Sequence, residues 1–591
     1  MRNLFKLTRC FYTLLLMCAF YHASAQPINE TEKYFLFFKT WNFLKYYHPQ
    51  FASGKKDADA VFMKNQSLLD NISSKTELNT FLMRMIITDL GTNKKDLKNT
   101  NLTVLEVNPL HKWYLKNALI NAELKNELLD VYTHRDTVGK YYVPTLNYAS
   151  EIPNERKYKF PDSINLPLGM RLLALARLQG VIDYLYPHKG LMDEGWDQTV
   201  KNNILLFKNC VSRMDYEVLL LKIVAKLNDT HAYNRFYDDL TYKREIFKNN
   251  YYPPFDYQII DNKILVKRII VPDLCTAAGI KAGDLITAVN GVTVNKLIDG
   301  LKELLSASNR NTLVYKLNNY KTNLIWSSDS SRFRLAVSSS GKKKVLSVAF
   351  VTTKNGVAIK AINNYMNAKL KVAESILPFR VIDNEIAYFN IDKIHELLND
   401  VHDDHLDTKI DSILNLAAKQ KGMIFDMRGY PHWGGFVFHY IYKKFSKQNN
   451  LFAQYFQADT QNLGSFTAIP GTITYYPDNV TTDGFSYKGK VCIIVNAQTQ
   501  SASEWYSMNL QHIFPKAITI GEQSAGADGD EKQINIPGNY NICFTGNAIY
   551  YPDGTPAQGK GVRINKIVKP KIEDIFSDMD RQLKFAIKSV Q

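Results

Sequence analysis

The sequence predicts a multidomain α/β chain, on three observations. Its 591 residues exceed what one hydrophobic core organises and imply roughly two to four domains. Its pattern changes along the chain from helical periods, to short strands, to strands alternating with helices. Its composition, 45% hydrophobic and 22% charged, is that of an ordinary soluble protein, which argues against both a disordered chain and a polytopic membrane protein.

Residues 1–25 have the build of a secretory signal. Arg2, Lys6 and Arg9 precede the apolar run Phe11 to Phe20, and Ala23-Ser24-Ala25 forms a small-residue cleavage site. Bulky Met17 stands immediately before Cys18, which favours soluble export, periplasmic or extracellular, over lipid anchoring. No later stretch offers the roughly 20 apolar residues of a membrane helix, so no integral membrane segment is expected after signal removal. Loss of the three basic signal residues lowers the formal charge from +16 to about +13. That balance favours anionic surfaces but not nucleic acid: the lysines are scattered, and Lys342-Lys343-Lys344 reads as a solvated hairpin turn. Cys210, Cys275, Cys492 and Cys543 are too widely spaced for a zinc pattern and read as buried free thiols. The histidines are dispersed without ligand spacing, so no metal and no organic cofactor is expected.

Residues 26–245 read as mainly helical, with extended stretches near Leu102 to Val107 and Lys140 to Leu146. A weak internal repeat relates Phe35 to Pro49 and Arg171 to His188, each an amphipathic helix stopped by proline after an aromatic cluster. His48 and His188, beside those prolines, read as packing or cap residues. The apolar helix Val218 to Leu227 exits through Asn228-Asp229-Thr230-His231-Ala232-Tyr233. An imidazole there suits a general base, its ordinary pKa lying near neutrality. Equally, Asp229 reads as a cap and His231 as a surface residue.

Residues 246–355 read as a β-domain. Gly283-Asp284 supplies a turn, Leu285 to Val289 a strand and Asn290-Gly291 a tight hairpin turn. The run Ala278 to Val292 resembles the signature of a PDZ domain, a module that binds extended peptide ends by adding a strand to a sheet edge. A spacer or lid is the plainer alternative. Ser327 to Ser340 reads as a loop or an inserted hairpin.

Residues 375–591 read as α/β. Glu385 to Ile391 is a strand, Thr408 to Lys419 a helix, and Gly422 to Gly429 a buried strand that runs into Tyr430-Pro431-His432-Trp433-Gly434-Gly435. Paired glycines after a core strand let the main chain approach a ligand and point N–H groups at it. Further on, Val491 to Gln500 enters Ser501-Ala502-Ser503-Glu504-Trp505, a strand turning into a helix. A serine there sits among free N–H groups at a positive dipole end. Ser501 and Glu504 are also spaced as a capping box, which carries no chemistry.

In order, Leu227 to His231, Gly279 to Gly291, Asp426 to Gly435, Ser501 to Glu504, Gly521-Glu522 and Gly559 to Val562 resemble the C-terminal processing (tail-specific) peptidase family. The resemblance is strongest to its tricorn-core-like branch of exported bacterial serine peptidases with a PDZ domain. It implies a ClpP/crotonase-like catalytic domain over 375–591, Ser501 as nucleophile, and an oxyanion hole from Ala502 with Gly434 or Gly435. Where lysine-dependent members carry their base, this chain has Ala527; Lys532 is the nearest substitute. The resemblance therefore shifts the base to His231. The glutamate that orients it in the tricorn type corresponds to Gln558, whose carbonyl accepts an imidazole N–H without supplying charge. The chain also departs from the family in the extra residues before Gly434 and in Ile564-Asn565. The implied partner is a peptide or protein substrate cleaved by acyl transfer. The alternatives are a non-catalytic binding protein for an apolar ligand or peptide on a peptidase scaffold, and a Ser-Lys dyad using Lys532.

Overall fold

The computed structural model describes residues 27–591 apart from 92–109, 147, 233, 340, 375, 400–402, 448, 450, 473–484 and 577–578. The signal segment and the stretch Leu102 to Val107 thus lie outside the described residues.

In the C-terminal region, alternating apolar side chains build a six-stranded sheet ordered Lys566–Ile567, Ile518–Gly521, Lys490–Val495, Gly422–Asp426, Ile386–Asn390 and Phe379–Ile382. All neighbours run parallel except the last pair, which forms an antiparallel hairpin. The two-residue period sorts the strands onto two cores. Met423, Phe425, Val491, Ile493 and Val495 meet helices Asp403–Ala418 and Ala502–Ile513 on one face, while Ile424, Cys492, Ile494 and Ile520 meet Arg581–Val590 on the other. Both faces are covered, as a parallel sheet requires. The loops after Asp426, Val495 and Gly521 gather at the carboxyl ends of adjacent parallel strands, the usual ligand crevice of such sheets.

The N-terminal region is mainly helical, and its two expected repeat helices are Glu30–Tyr47 and Leu168–Leu185, 18 residues each. They pack on each other. Neither is amphipathic, contrary to the sequence reading: from Lys33 to Tyr47 and from Leu172 to Leu185 every residue is buried. Helices on several sides enclose them, so even their lysines sit inside, Lys33 donating to Ile72 O at 3.0 Å and the others paired with carboxylates. Lys39 bridges Asp183 at 2.9 Å and Asp197 at 2.8 Å, while Lys45 pairs with Glu155. Arg177 joins Glu155 at 3.1 Å and also pairs with Asp59. Residues 140–146, expected to be extended, instead form turns anchored by the Tyr141 N–H on Ala52 O at 3.1 Å.

The middle region is an antiparallel sheet ordered Phe255–Ile260, Lys263–Ile269, Leu285–Val289, Arg332–Ser339 and Lys342–Ala349, with Val292–Thr293 also paired to Leu285–Val289. Asn290 (φ 49°) and Gly291 (φ 86°) turn that hairpin in left-handed conformations, which is why Asn-Gly stands there. Part of the polar stretch 327–340 is itself a strand, and Lys342 and Lys343 are exposed at the start of the next. Among the described residues no helix is long and apolar enough to cross a membrane, and the four cysteines are free thiols.

Candidate functional site

Ser501 follows the Lys490–Val495 strand and caps helix Ala502–Ile513. Its backbone is at φ 53°, ψ −122°, a positive-φ conformation that costs a side-chain-bearing residue on the order of 1–3 kcal/mol and persists only where neighbours hold it. Those neighbours are visible. The Ser501 N–H donates to Ala527 O at 3.0 Å and to Glu504 Oε2 at 3.3 Å. Glu504, fully buried, also accepts from the Ser524 hydroxyl (2.6 Å), Gly526 N–H (2.7 Å) and Ala527 N–H (2.9 Å). Burial raises the pKa of Glu504, and these donors oppose the rise. The expected Ser501–Glu504 pairing is therefore part of a wider tether that fixes both the elbow and the loop after Gly521.

A second staple ties the elbow to the neighbouring strand end. The hydroxyls of Thr499 and Ser503 both donate to Met427 O, at 2.8 and 2.9 Å. The Ala502 N–H, first in its helix, has no hydrogen-bond acceptor among the described residues and lies where the helix dipole is positive.

Ser501 and Ala502 line a cavity of about 1850 Å³, whose walls also include His231, Tyr430, Asp528 and Glu531. His231 comes from the short turn Thr230–Ala232 and is buried. Its Nδ1 lies 2.8 Å from Thr545 Oγ1, whereas its Nε2 has no hydrogen-bond partner. The nearest carboxylate to Nε2 is Glu531, at 3.9 Å. Ser501 and His231 thus share one cavity wall without a hydrogen bond between them. Tyr430 lines the same cavity; burial raises its phenol, and the nearby Ser501 acts against that rise.

The remaining expected residues are placed differently. Gln558 does not orient the imidazole in this structure. It is buried, both carboxamide atoms lack hydrogen-bond partners, and Thr545 occupies the Nδ1 position. Gly434 and Gly435 lie off the cavity wall, and a Cβ on Gly434 would come within 2.3 Å of the Tyr506 hydroxyl. Gly429 and Tyr430, nearer the strand end, line the wall instead. The extra residues before the paired glycines account for that offset. Lys532 turns its amine to Tyr148 O (2.6 Å) and Leu146 O (3.3 Å), away from the cavity; burial lowers it to about 8, against the pull of Asp530.

The sequence reading missed several groups at the site. Tyr430 was passed over inside the glycine loop. Thr545 and the buried carboxylate of Asp229 stand far apart in sequence, and no spacing rule joins them. Lys316, from helix Arg310–Leu317, also lines the cavity. Burial lowers it to about 7 while Asp229 opposes, and its amine donates to Thr230 O and Ser306 O at 3.3 Å. Asp528, also on the wall, is pushed well above the ordinary carboxylate range by burial, then by Glu504 and Asp530. Among the described residues no group of three or more His, Cys, Asp or Glu side chains is placed to hold a metal ion.

Residues 385–568 match the family model of Peptidase family S41, which bears out the peptidase resemblance over the C-terminal α/β region. Two solved structures cover about the same part of this chain. Mature CPAF complexed with lactacystin shares 13% identity over 71% of this chain and 97% of its own, at a TM-score of 0.50. A serine-to-alanine mutant of CPAF shares 13% identity over 71% and 96%, at a TM-score of 0.51. The photosystem II D1 C-terminal processing protease matches at 13% identity, over 72% of this chain and 98% of its own, with a TM-score of 0.35. At such identities the first two likenesses are likenesses of fold. No curated protein matches the sequence. Members of family S41 are serine peptidases, so the region carries a peptidase fold, and Ser501 lies within the matched residues.

Proposed function

We propose that this chain is an exported serine endopeptidase that cleaves peptide or protein substrates by acyl transfer, with a PDZ-like domain assisting capture of an extended or C-terminal segment. Ser501 attacks the scissile carbonyl, His231 Nε2 takes the hydroxyl proton and returns it to the leaving amine, and the Ala502 N–H stabilises the oxyanion. A second oxyanion donor comes from the glycine loop after Asp426, where Gly429 and Tyr430 line the cavity in place of Gly434 and Gly435.

The observation that carries this reading is one cavity wall holding a strained serine at a helix start and a buried imidazole with its Nε2 unpaired. Substrate entry brings the Ser501 hydroxyl to Nε2. The geometry favours His231 over Lys532 as base, because the Lys532 amine is spent on two backbone carbonyls.

Labelling with a fluorophosphonate probe tests the reading. Wild type should label and Ser501→Ala should not. Equal absence of labelling in both, with a small apolar molecule co-purifying, would favour the binding-protein alternative.

A further inference from the structure

A base at His231 needs its ring held in one tautomer and its positive charge stabilised once it has taken a proton. Gln558 does neither. We propose that Thr545 and Asp229 act together as the positioning pair, the threonine hydroxyl joining a buried carboxylate to the imidazole. This rests on the reading of Ser501 and His231 as nucleophile and base.

The hydrogen-bond directions leave one arrangement. Asp229 is buried, and its oxygens accept from the Thr545 N–H (2.6 Å), the Thr545 hydroxyl (2.9 Å) and the His231 N–H (3.0 Å), the pattern of an ionised carboxylate. A hydroxyl has one proton, and Thr545 gives it to Asp229. The 2.8 Å contact to His231 must then run the other way, Nδ1–H donating to Thr545 Oγ1. Nδ1 carries the proton and Nε2 the lone pair, which is the tautomer a base requires. Asp229 Oδ1 is 3.7 Å from Nδ1, too far for a direct hydrogen bond but near enough to favour an imidazolium in a buried site.

Distant parts of the chain hold the pair. Thr545 ends strand Tyr540–Thr545, opposite Glu531 on strand Glu531–Ile536. The N-terminal region grips that hairpin: Ser150–Glu151 adds a parallel strand to it, Arg177 donates to Asn535 O at 2.7 Å, and Tyr216 donates to Pro537 O at 2.9 Å. Asp229 is fixed from the other side, its N–H donating to Ser306 Oγ at 3.1 Å. The helical region thereby holds the hairpin as well as supplying Asp229 and His231.

The charged and titratable groups around His231 are Asp229 behind it, Glu531 and Asp530 on the hairpin, His188 from the N-terminal region, and Lys316 opposing Asp229 from the middle region. Removing the Thr545 hydroxyl breaks its bonds to His231 Nδ1 and Asp229 Oδ1 and leaves the Thr545 N–H on Asp229.

The test is the pH dependence of fluorophosphonate labelling in the full chain, with maximal rate and probe affinity measured separately. Thr545→Val should lower the maximal rate about 100-fold, leave probe affinity within about 3-fold, and move the acid limb to lower pH because the imidazolium has lost the hydroxyl that links it to Asp229. Thr545→Ser, which keeps the hydroxyl, should restore the rate to within about 5-fold of wild type and return the limb. If Thr545→Val does not fold, Thr545→Ala replaces it, with the same expectations. An unmoved acid limb in the hydroxyl-free variant, or Thr545→Ser as slow as that variant, would overturn the proposal. Undiminished labelling of Ser501→Ala would instead overturn the nucleophile assignment, so the two failures are distinct.

Discussion

The helical N-terminal region and the peptidase cavity both bury charge, and they do so in opposite ways. In the helical region several buried cations meet anions, Lys39 with Asp183, Lys45 with Glu155, Arg177 with Glu155 and Asp59, while Lys33 donates to Ile72 O and Arg213 to Gly538 O. On the cavity wall, His231 Nε2 and Asp528 Oδ2 have no hydrogen-bond partner among the described residues. Paired buried charge is what a stable interior tolerates; unpaired buried polarity costs stability and persists where a reacting group must stay available. The helical region also holds unpaired polar atoms, the Gln179 carboxamide among them, so the contrast lies in buried charge: ion-paired around Glu155, without an ionic partner among the described residues at Asp528.

Breaking a pair in the scaffold should produce the largest stability effect. Glu155→Ala leaves Lys45 and Arg177 buried without their shared carboxylate and should cost about 3–5 kcal/mol in chemical denaturation. Fluorophosphonate labelling per folded molecule should hardly change. A large fall in labelling with stability intact would erase the distinction between the regions.

His188 lies between them, and its effect should come next. Burial lowers its pKa to about 4, against the pull of Asp229, and its Nε2 contacts Asn547 O at 3.1 Å. The unfolded chain binds that proton near pH 6.5 and the folded chain only near 4. Stability should thus be full above about pH 6.5 and decline as pH falls toward 4, by on the order of 3 kcal/mol in total. His48, lowered to about 4 mainly by burial, should add a parallel decline. Thermal melts across this range should show a shallower slope for His188→Gln than for wild type; an unchanged slope would place the proton uptake elsewhere.

In the cavity the sign should reverse. The raised pKa of Asp528 means that the fold favours its protonated form, so its presence destabilises the protein as pH rises above the ordinary carboxylate range. Asp528→Asn should therefore stabilise at pH 7 by on the order of 1 kcal/mol, the gain fading toward pH 4. A loss of stability at pH 7 would mean that Asp528 has an ionic partner. Smallest of all, Lys343→Glu on the exposed middle hairpin should shift stability by no more than about 0.5 kcal/mol.

The same contrast explains what was legible in the sequence. The strand Leu285–Val289 with its Asn290-Gly291 turn, the Gly422–Asp426 strand and the Ser501 elbow were readable because two-residue alternation and turn chemistry are local. The helices Glu30–Tyr47 and Leu168–Leu185 were located but misread as amphipathic, since enclosure depends on neighbours that a helical period does not name. Asp229 looked like a cap because its capping geometry is local, whereas its contact with Thr545 spans 316 residues. Gln558 was chosen by its place in a family pattern, and an unpaired carboxamide leaves no trace in a sequence. Tyr430 was hidden beside more conspicuous glycines.

The central claim is that the imidazole of His231 is the base for Ser501. Fluorophosphonate labelling at neutral pH of wild type, His231→Ala and Lys532→Ala tests it most directly. Labelling lost in His231→Ala and kept in Lys532→Ala is the predicted result; labelling kept in His231→Ala and lost in Lys532→Ala would contradict it.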